Sequence, residues 1–201
     1  MAKAQDLVIL DRSTCEAQMR RPFMIAACAA LALLAVAPAA AAASAKALAA
    51  DSKAALQQLY AVNPKARELG QKARAILVFP KIVKAGLMIG GLRGDGALLE
   101  NGRATRFYNT SAGTYGLQAG VQSYSSALFF ITPSSLDYLT KSKGWSIGSG
   151  PSVVVVDEGK AKSMNTTTLT QDVYAFIYGQ KGLMAGLGLE GSKITQIHPD
   201  P

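Results

Sequence analysis

Six glycines fall inside segments whose other residues alternate as those of β-strands do: Gly86, Gly90, Gly116, Gly120, Gly186 and Gly188. Around the last two the period is plain. Leu183, Ala185, Leu187 and Leu189 point one way, and Met184, Gly186, Gly188 and Glu190 the other. Glycine in a strand gives up packing surface, so it marks places where the strand bends or another backbone comes close. Repeated use of it predicts a strongly curved sheet. The stretch GLGLEG also fits the G-x-G-x-x-G pattern of a dinucleotide turn. That turn opens a βαβ unit of about 30 residues with an acidic residue about 20 positions further on, and ten residues of this sequence follow Gly191.

Strand patterns dominate from Ile76 onward. Candidates are Ile76 to Phe79, Val83 to Leu92, Ala97 to Leu99, Thr105 to Tyr108, Tyr115 to Val121, Ala127 to Ile131, Ser152 to Val156, Val173 to Tyr178, Leu183 to Leu189 and Ile194 to Ile197. Asp95-Gly96 and Asn101-Gly102 both suit the positive-φ positions of tight hairpin turns. One short helix is predicted over Ser135 to Thr140. Strands do not alternate with helices of 10 to 15 residues, so a doubly wound parallel sheet is excluded in favour of a curved, barrel-like antiparallel one.

Ahead of the sheet, Ala45 to Ala75 carries helical spacing. Leu48, Ser52, Ala55, Leu59 and Val62 form one stripe, and Ala66, Leu69, Ala73 and Ile76 a second. Asn63-Pro64 marks the break, with Asn as N-cap and Pro at the first helical position. Glu68 is placed to pair with Lys72. The fold class is therefore α+β: two short amphipathic N-terminal helices, one short internal helix and a curved sheet.

Residues 1–43 read as a segment to be removed. Arg20 and Arg21 precede the apolar run FMIAACAALALLAVA, and small residues follow, as in a secretory signal peptide cleaved after Ala43, with Met19 a candidate start. Cys15 and Cys28 lie before that cut, so residues 44–201 hold no thiol for a disulfide, a redox pair or a zinc site. Cys28 follows Ile-Ala-Ala as in a lipoprotein box, but lipidation there would discard most of the hydrophobic signal. The expectation is one exported domain, 44–201, periplasmic or extracellular and peripheral to a membrane.

Export also frames the charge. The whole chain carries a formal +8, and removing Lys3, Arg12, Arg20 and Arg21 with Asp6, Asp11 and Glu16 leaves +7. Outside the cytoplasm a basic domain meets anionic headgroups or wall polymers more often than nucleic acid.

Catalytic patterns are weak. Gly144-Trp145-Ser146-Ile147-Gly148 matches G-x-S-x-G, and Asp157 or Asp172 followed by His198 completes a hydrolase order. The elbow needs a buried strand before it and a helix after it, whereas Ser149-Gly150-Pro151 forbids the helix. Arg93-Gly94-Asp95 is an adhesion tripeptide already accounted for by the predicted Asp-Gly turn. One histidine and scattered acids suggest no metal site, and nothing in the sequence implies a cofactor. Tyr108, Tyr115, Tyr124, Phe129 and Phe130 read as core aromatics.

Three segments, ILVFPKIVKAG (76–86), YGLQAGVQS (115–123) and KGLMAGLGLEG (181–191), resemble the hallmark blocks of the SYLF lipid-binding domain, also called the Ysc-type actin-binding domain. The resemblance implies a phospholipid-binding module with a basic amphipathic N-terminal helix. Some members also bind actin filaments, and bacterial members are exported single-domain proteins. Matched position by position, it assigns headgroup contact to Lys65, Arg67, Lys72, Arg74, Lys81 and Lys84. Export argues against actin as a partner. The sequence thus leads to a non-enzymatic domain that binds anionic phospholipid membranes. A structural envelope protein or small outer-membrane barrel is the alternative, with serine esterase chemistry behind it. Against a barrel stand the lysines in the would-be lipid-facing bands and a His-Pro-Asp-Pro end.

Overall fold

The computed structural model describes residues 44–142, 144–156, 170–182 and 191–201, with the backbone alone at 87–88 and 114–119. All of these belong to one compact unit, Ala42–Pro201.

Helix α1 spans Ala45–Val62 and buries Leu48, Ser52, Ala55, Leu56 and Leu59. This is the expected stripe, extended by Leu56 and ending before Val62, which is 77% exposed. With 18 residues it is longer than the short helix expected. Ser44 caps it, its Oγ accepting from the Ala47 amide at 3.2 Å. Asn63 closes α1 and opens α2, Pro64–Lys72: its amide donates to Leu59 O at 2.9 Å, and its Oδ1 accepts from the Ala66 amide at 3.0 Å.

Strands β1, Ala75–Glu100, and β2, Arg103–Phe130, form one long antiparallel hairpin. The turn is Asn101-Gly102, with φ of 50° and 75°, the two positive values that the sequence pattern calls for. The six shorter strands expected between 76 and 131 are therefore two. Asp95-Gly96 is not a turn: Asp95 pairs with Asn109 and Gly96 with Tyr108 inside the ladder, and Asn109 Nδ2 donates to Asp95 at 2.6 Å. Helix α3, Pro133–Lys141, is capped by Thr132. Strands β3, Trp145–Ser146, β4, Val153–Val156, β5, Val173–Gly182, and β6, Lys193–Ile197, complete the described elements. The strand expected over 183–189 lies outside the described residues, as do the signal segment, Asp157 and the side chain of Tyr115.

The sheet runs β3-β6-β2-β5-β4, with β1 also on β2. One edge of β2 carries β1 along its length; the other carries β6 at Phe107–Ser111 and β5 at Gln122–Phe130. Among the described residues every pair is antiparallel except β4 with β5, which corrects the purely antiparallel expectation. Parallel neighbours need a connection of a dozen residues or more, and 157–172 supplies it.

The sheet curls into a half-barrel. Laid straight, β1 would measure about 85 Å. Instead it returns on itself: a Cβ at Gly94 would lie 2.8 Å from both Ile82 Cγ1 and Lys81 O, and one at Gly96 would strike the Val78 carbonyl oxygen. Gly94 and Gly96 thus permit a close backbone approach, although neither is among the six glycines expected to do so and Gly96 was read as part of a turn.

Two apolar clusters occupy the two faces. One holds Leu77, Phe79, Ile82, Tyr124, Leu128, Phe130 and Trp145. The other sets Ile76, Val78, Ala127, Phe129 and Phe176 against Ala55, Leu56 and Leu59 of α1 and Ala66 and Leu69 of α2. Each fully buried Leu or Phe contributes about 1.5–3 kcal/mol. The apolar stripes of both helices are therefore spent on the sheet.

Candidate functional site

Beside α1, β1, β2 and β5 share an open groove of about 360 Å³, lined by Gln58 of that helix and by Pro80, Lys81, Ser123, Ser125 and Lys181 among others. Two β-bulges shape it. On β1 the register passes from Phe79↔Ser126 to Ile82↔Tyr124, so the Pro80–Lys81 stretch holds one extra residue. On β5 it passes from Tyr178↔Ser125 to Lys181↔Ser123, again with one extra residue, and Gly179 takes the left-handed φ of 65°. A bulge bends its strand and re-aims a side chain. Here the bulges sit side by side, flanking Ser123–Ser125, and each is followed or occupied by a lysine.

The local sequence explains both. Pro80 lacks an amide to donate, and its carbonyl accepts from Ser125 Oγ at 2.8 Å, which pins the bulged strand to its neighbour. Gly179 adopts a backbone conformation that side chains resist. Strands lie about 4.8 Å apart, so β1 and β5 stand about 10 Å apart across β2, close enough for two flexible lysines to converge on one anion. Ser123, Ser125 and Gln58 add hydrogen-bonding groups, and Lys81 and Lys181 are both exposed.

α1 is fastened beside this groove. The Tyr178 hydroxyl donates to Ala55 O at 2.9 Å, and burial raises its pKa. Ser52 Oγ donates to Val78 O at 3.3 Å. The Tyr60 ring packs on Phe129 at 6.5 Å, and its hydroxyl is raised by burial, an effect Arg67 partly offsets.

The six residues singled out from sequence divide. Lys81 lines the groove. Lys84 does not: it is 8% exposed, paired in register with Gln122 and engaged. A spacing of three in a strand puts Lys81 and Lys84 on opposite faces, which corrects the assignment of both to one edge. Lys65 donates to Glu68 Oε2 at 3.1 Å. Arg67 donates to Tyr60 O at 3.2 Å, satisfying a last-turn carbonyl of α1. Lys72 is exposed in the last turn of α2, and Arg74 is exposed just before β1. Arg74 stands about 20 Å from Lys81 along the strand. Lys181 was missed, although Gly179 two residues earlier, inside a strand pattern, is the usual mark of a bulge.

The hydrolase set is not assembled. Ser146 pairs with Lys193, which places His198 about 16 Å further along β6 and its extension. Asp172 instead accepts from Thr132 Oγ1 at 2.9 Å and from the Ser152 amide and hydroxyl at 3.1 and 3.0 Å. Those bonds hold its carboxyl below the usual range, the Ser152 amide most of all. No cluster of three His, Cys, Asp or Glu stands together among the described residues. No helix among them is long and apolar enough to cross a membrane.

The family model described as Ysc84, Las17-binding protein actin regulator, matches residues 111–199. That stretch holds most of β2, both groove serines and Lys181. Over residues 111–199 the chain is similar to the Ysc84 (SYLF) family. The family is one of lipid- and actin-binding domains, which bears out the resemblance drawn from the three sequence blocks. No curated protein matches the chain. The first block, with Lys81, precedes the matched residues and completes the groove from β1.

Proposed function

We propose that this SYLF-type protein is an exported, non-enzymatic domain that binds anionic phospholipid at a membrane surface, the groove between Lys81 and Lys181 taking the headgroup phosphate. The observation that carries this reading is the pair of adjacent bulges setting a lysine on each side of Ser123 and Ser125. Each cation near an anionic surface contributes about 1 kcal/mol. Lys65, Arg67, Lys72 and Arg74 add to the field around the domain rather than to the groove, because α2 turns its apolar face to the sheet. The N-terminal segment, read as a signal peptide, puts this activity in the periplasm or outside the cell.

The test is co-sedimentation with vesicles. Binding to phosphatidylglycerol-containing vesicles is expected to exceed binding to phosphatidylcholine alone. It is expected to weaken from about 0.05 to 0.5 M salt, as the Debye length falls from about 14 to about 4 Å. Lys81→Gln with Lys181→Gln removes most binding with little change in melting temperature, since exposed substitutions usually cost within about 0.5 kcal/mol. A greater loss from the four α2-region substitutions to Gln moves the site to the helix. Equal, salt-independent binding to neutral and anionic vesicles refutes the electrostatic reading.

A further inference from the structure

The β1–β2 ribbon reverses direction at one place, and that place is apolar on its outside. A Cβ at Gly86 would lie 2.6 Å from Gly90 Cα, although four residues of straight strand span about 13 Å. Opposite, the register jumps from Leu87↔Ala119 to Ile89↔Tyr115, with two extra residues on β2. The bend is an apex. On it Ile89 is 71% exposed and Val121 61%, and Val83 beside it is 36% exposed. Aliphatic side chains rarely cluster in water without a partner.

The apex continues into the groove. Val83 pairs with Ser123, and Ser123 with Lys181, so an exposed aliphatic, a groove serine and a groove lysine lie in one row across three strands. Val121 stands two residues from Ser123, on the same face of β2. Lys81 stands two before Val83. Aliphatic groups ahead and ammonium groups behind are what an anionic bilayer surface accepts: the first enter the boundary of headgroups and acyl chains, about 5–10 Å deep, while the second stay with the phosphates.

The geometry points to the apex of the β1–β2 ribbon as a membrane wedge, with Ile89, Val121 and Val83 entering the bilayer interface and Lys81 and Lys181 anchored at the phosphates behind them. This rests on the anionic-lipid reading above and adds to it which part of the molecule penetrates. It replaces insertion of the N-terminal helices, whose apolar stripes are already buried against the sheet.

The full chain with Ile89→Trp tests it. Trp145, 1% exposed, is shielded and serves as a constant background. With phosphatidylglycerol vesicles the new indole is expected to shift to the blue and to lose its quenching by acrylamide. Ile89→Glu and Val121→Glu, at exposed positions that leave folding intact, are expected to weaken vesicle binding at least tenfold while Val62→Glu, exposed on α1, changes it less than twofold. If the unaltered chain fails to pellet with anionic vesicles, the headgroup reading falls and the wedge with it. If it pellets but the Ile89→Trp indole stays open to acrylamide and Ile89→Glu binds normally, the wedge alone is refuted. Shielding without vesicles that grows with protein concentration assigns the apex to a second copy of this chain and likewise overturns the proposal.

Discussion

Replacing Gly96 by alanine probes the return of β1 on itself. Neither Gly96 nor the comparison site Gly113 has a positive φ, so alanine meets no backbone strain at either. At Gly96 the added Cβ would strike the Val78 carbonyl oxygen and lie 2.6 Å from Phe79 Cδ1 and 3.0 Å from the Val78 carbonyl carbon. Carbon atoms pack best at about 3.5–4.0 Å, so the strand must move by about 1 Å. The obstacle is backbone in a buried layer, and overpacking of that kind costs about 1–3 kcal/mol. At Gly113 nothing lies within 4 Å. Alanine there only restricts the unfolded chain, a gain of about 0.4–1 kcal/mol common to both variants. Their difference therefore isolates the crowding, about 1–3 kcal/mol. With a urea m-value of about 1–3 kcal/mol/M, the two unfolding midpoints are expected to separate by on the order of 1 M at unchanged slope. Coincident midpoints would falsify the fold-back.

Two further outcomes concern titration. Tyr60, Tyr108, Tyr124 and Tyr178 all have pKa values raised above the ordinary 10.0, chiefly by burial. Their folded-state preference for the protonated form is fully present below 10.0 and is lost as pH rises beyond it, so the tyrosinate absorbance of these four, read as the difference between the chain and its Tyr→Phe variant at each position, is expected to appear together with unfolding; that difference appearing in a still-folded chain contradicts the burial. Asp172, lowered from 3.8, works the other way: its contribution is present above that value and is lost as pH falls below it. Asp172→Asn is expected to abolish that acid-side loss in a thermal-melt series and to lower stability at neutral pH by about 1–2 kcal/mol, a figure reduced for partial exposure; an unchanged acid profile rules out the Thr132–Asp172–Ser152 link.

The helices were readable because their signals are local. Asn63-Pro64 acts through one side chain and one ring, and the stripe of Leu48, Ser52, Ala55 and Leu59 follows from period alone. The Asn101-Gly102 turn was readable for the same reason. Asp95-Gly96 carries the same local signature but lies where a distant segment, 78–82, presses on the backbone, and nothing within a few residues reports that. Lys81 and Lys84 looked alike because a three-residue spacing has no sidedness until the strand's face is known. Lys181 joins Lys81 only through the pairings of β1 and β5 with β2, and the parallel β4–β5 pair is equally non-local.

The single tight turn at Asn101-Gly102 also governs how the chain reaches this shape. Pairing can begin at Glu100↔Arg103 and zip outward to Ala75↔Phe130, each step closing only a slightly larger loop than the last. The contact of Gly96 with Val78 cannot form that way, since it joins two points of one strand and requires the ribbon to have rolled. Registration thus precedes rolling. A chain caught between the two is a long, flat hairpin with an unprotected edge on β1, the form most open to pairing with another copy during synthesis. Glycine at the crossing lets the roll close without a Cβ striking the facing strand.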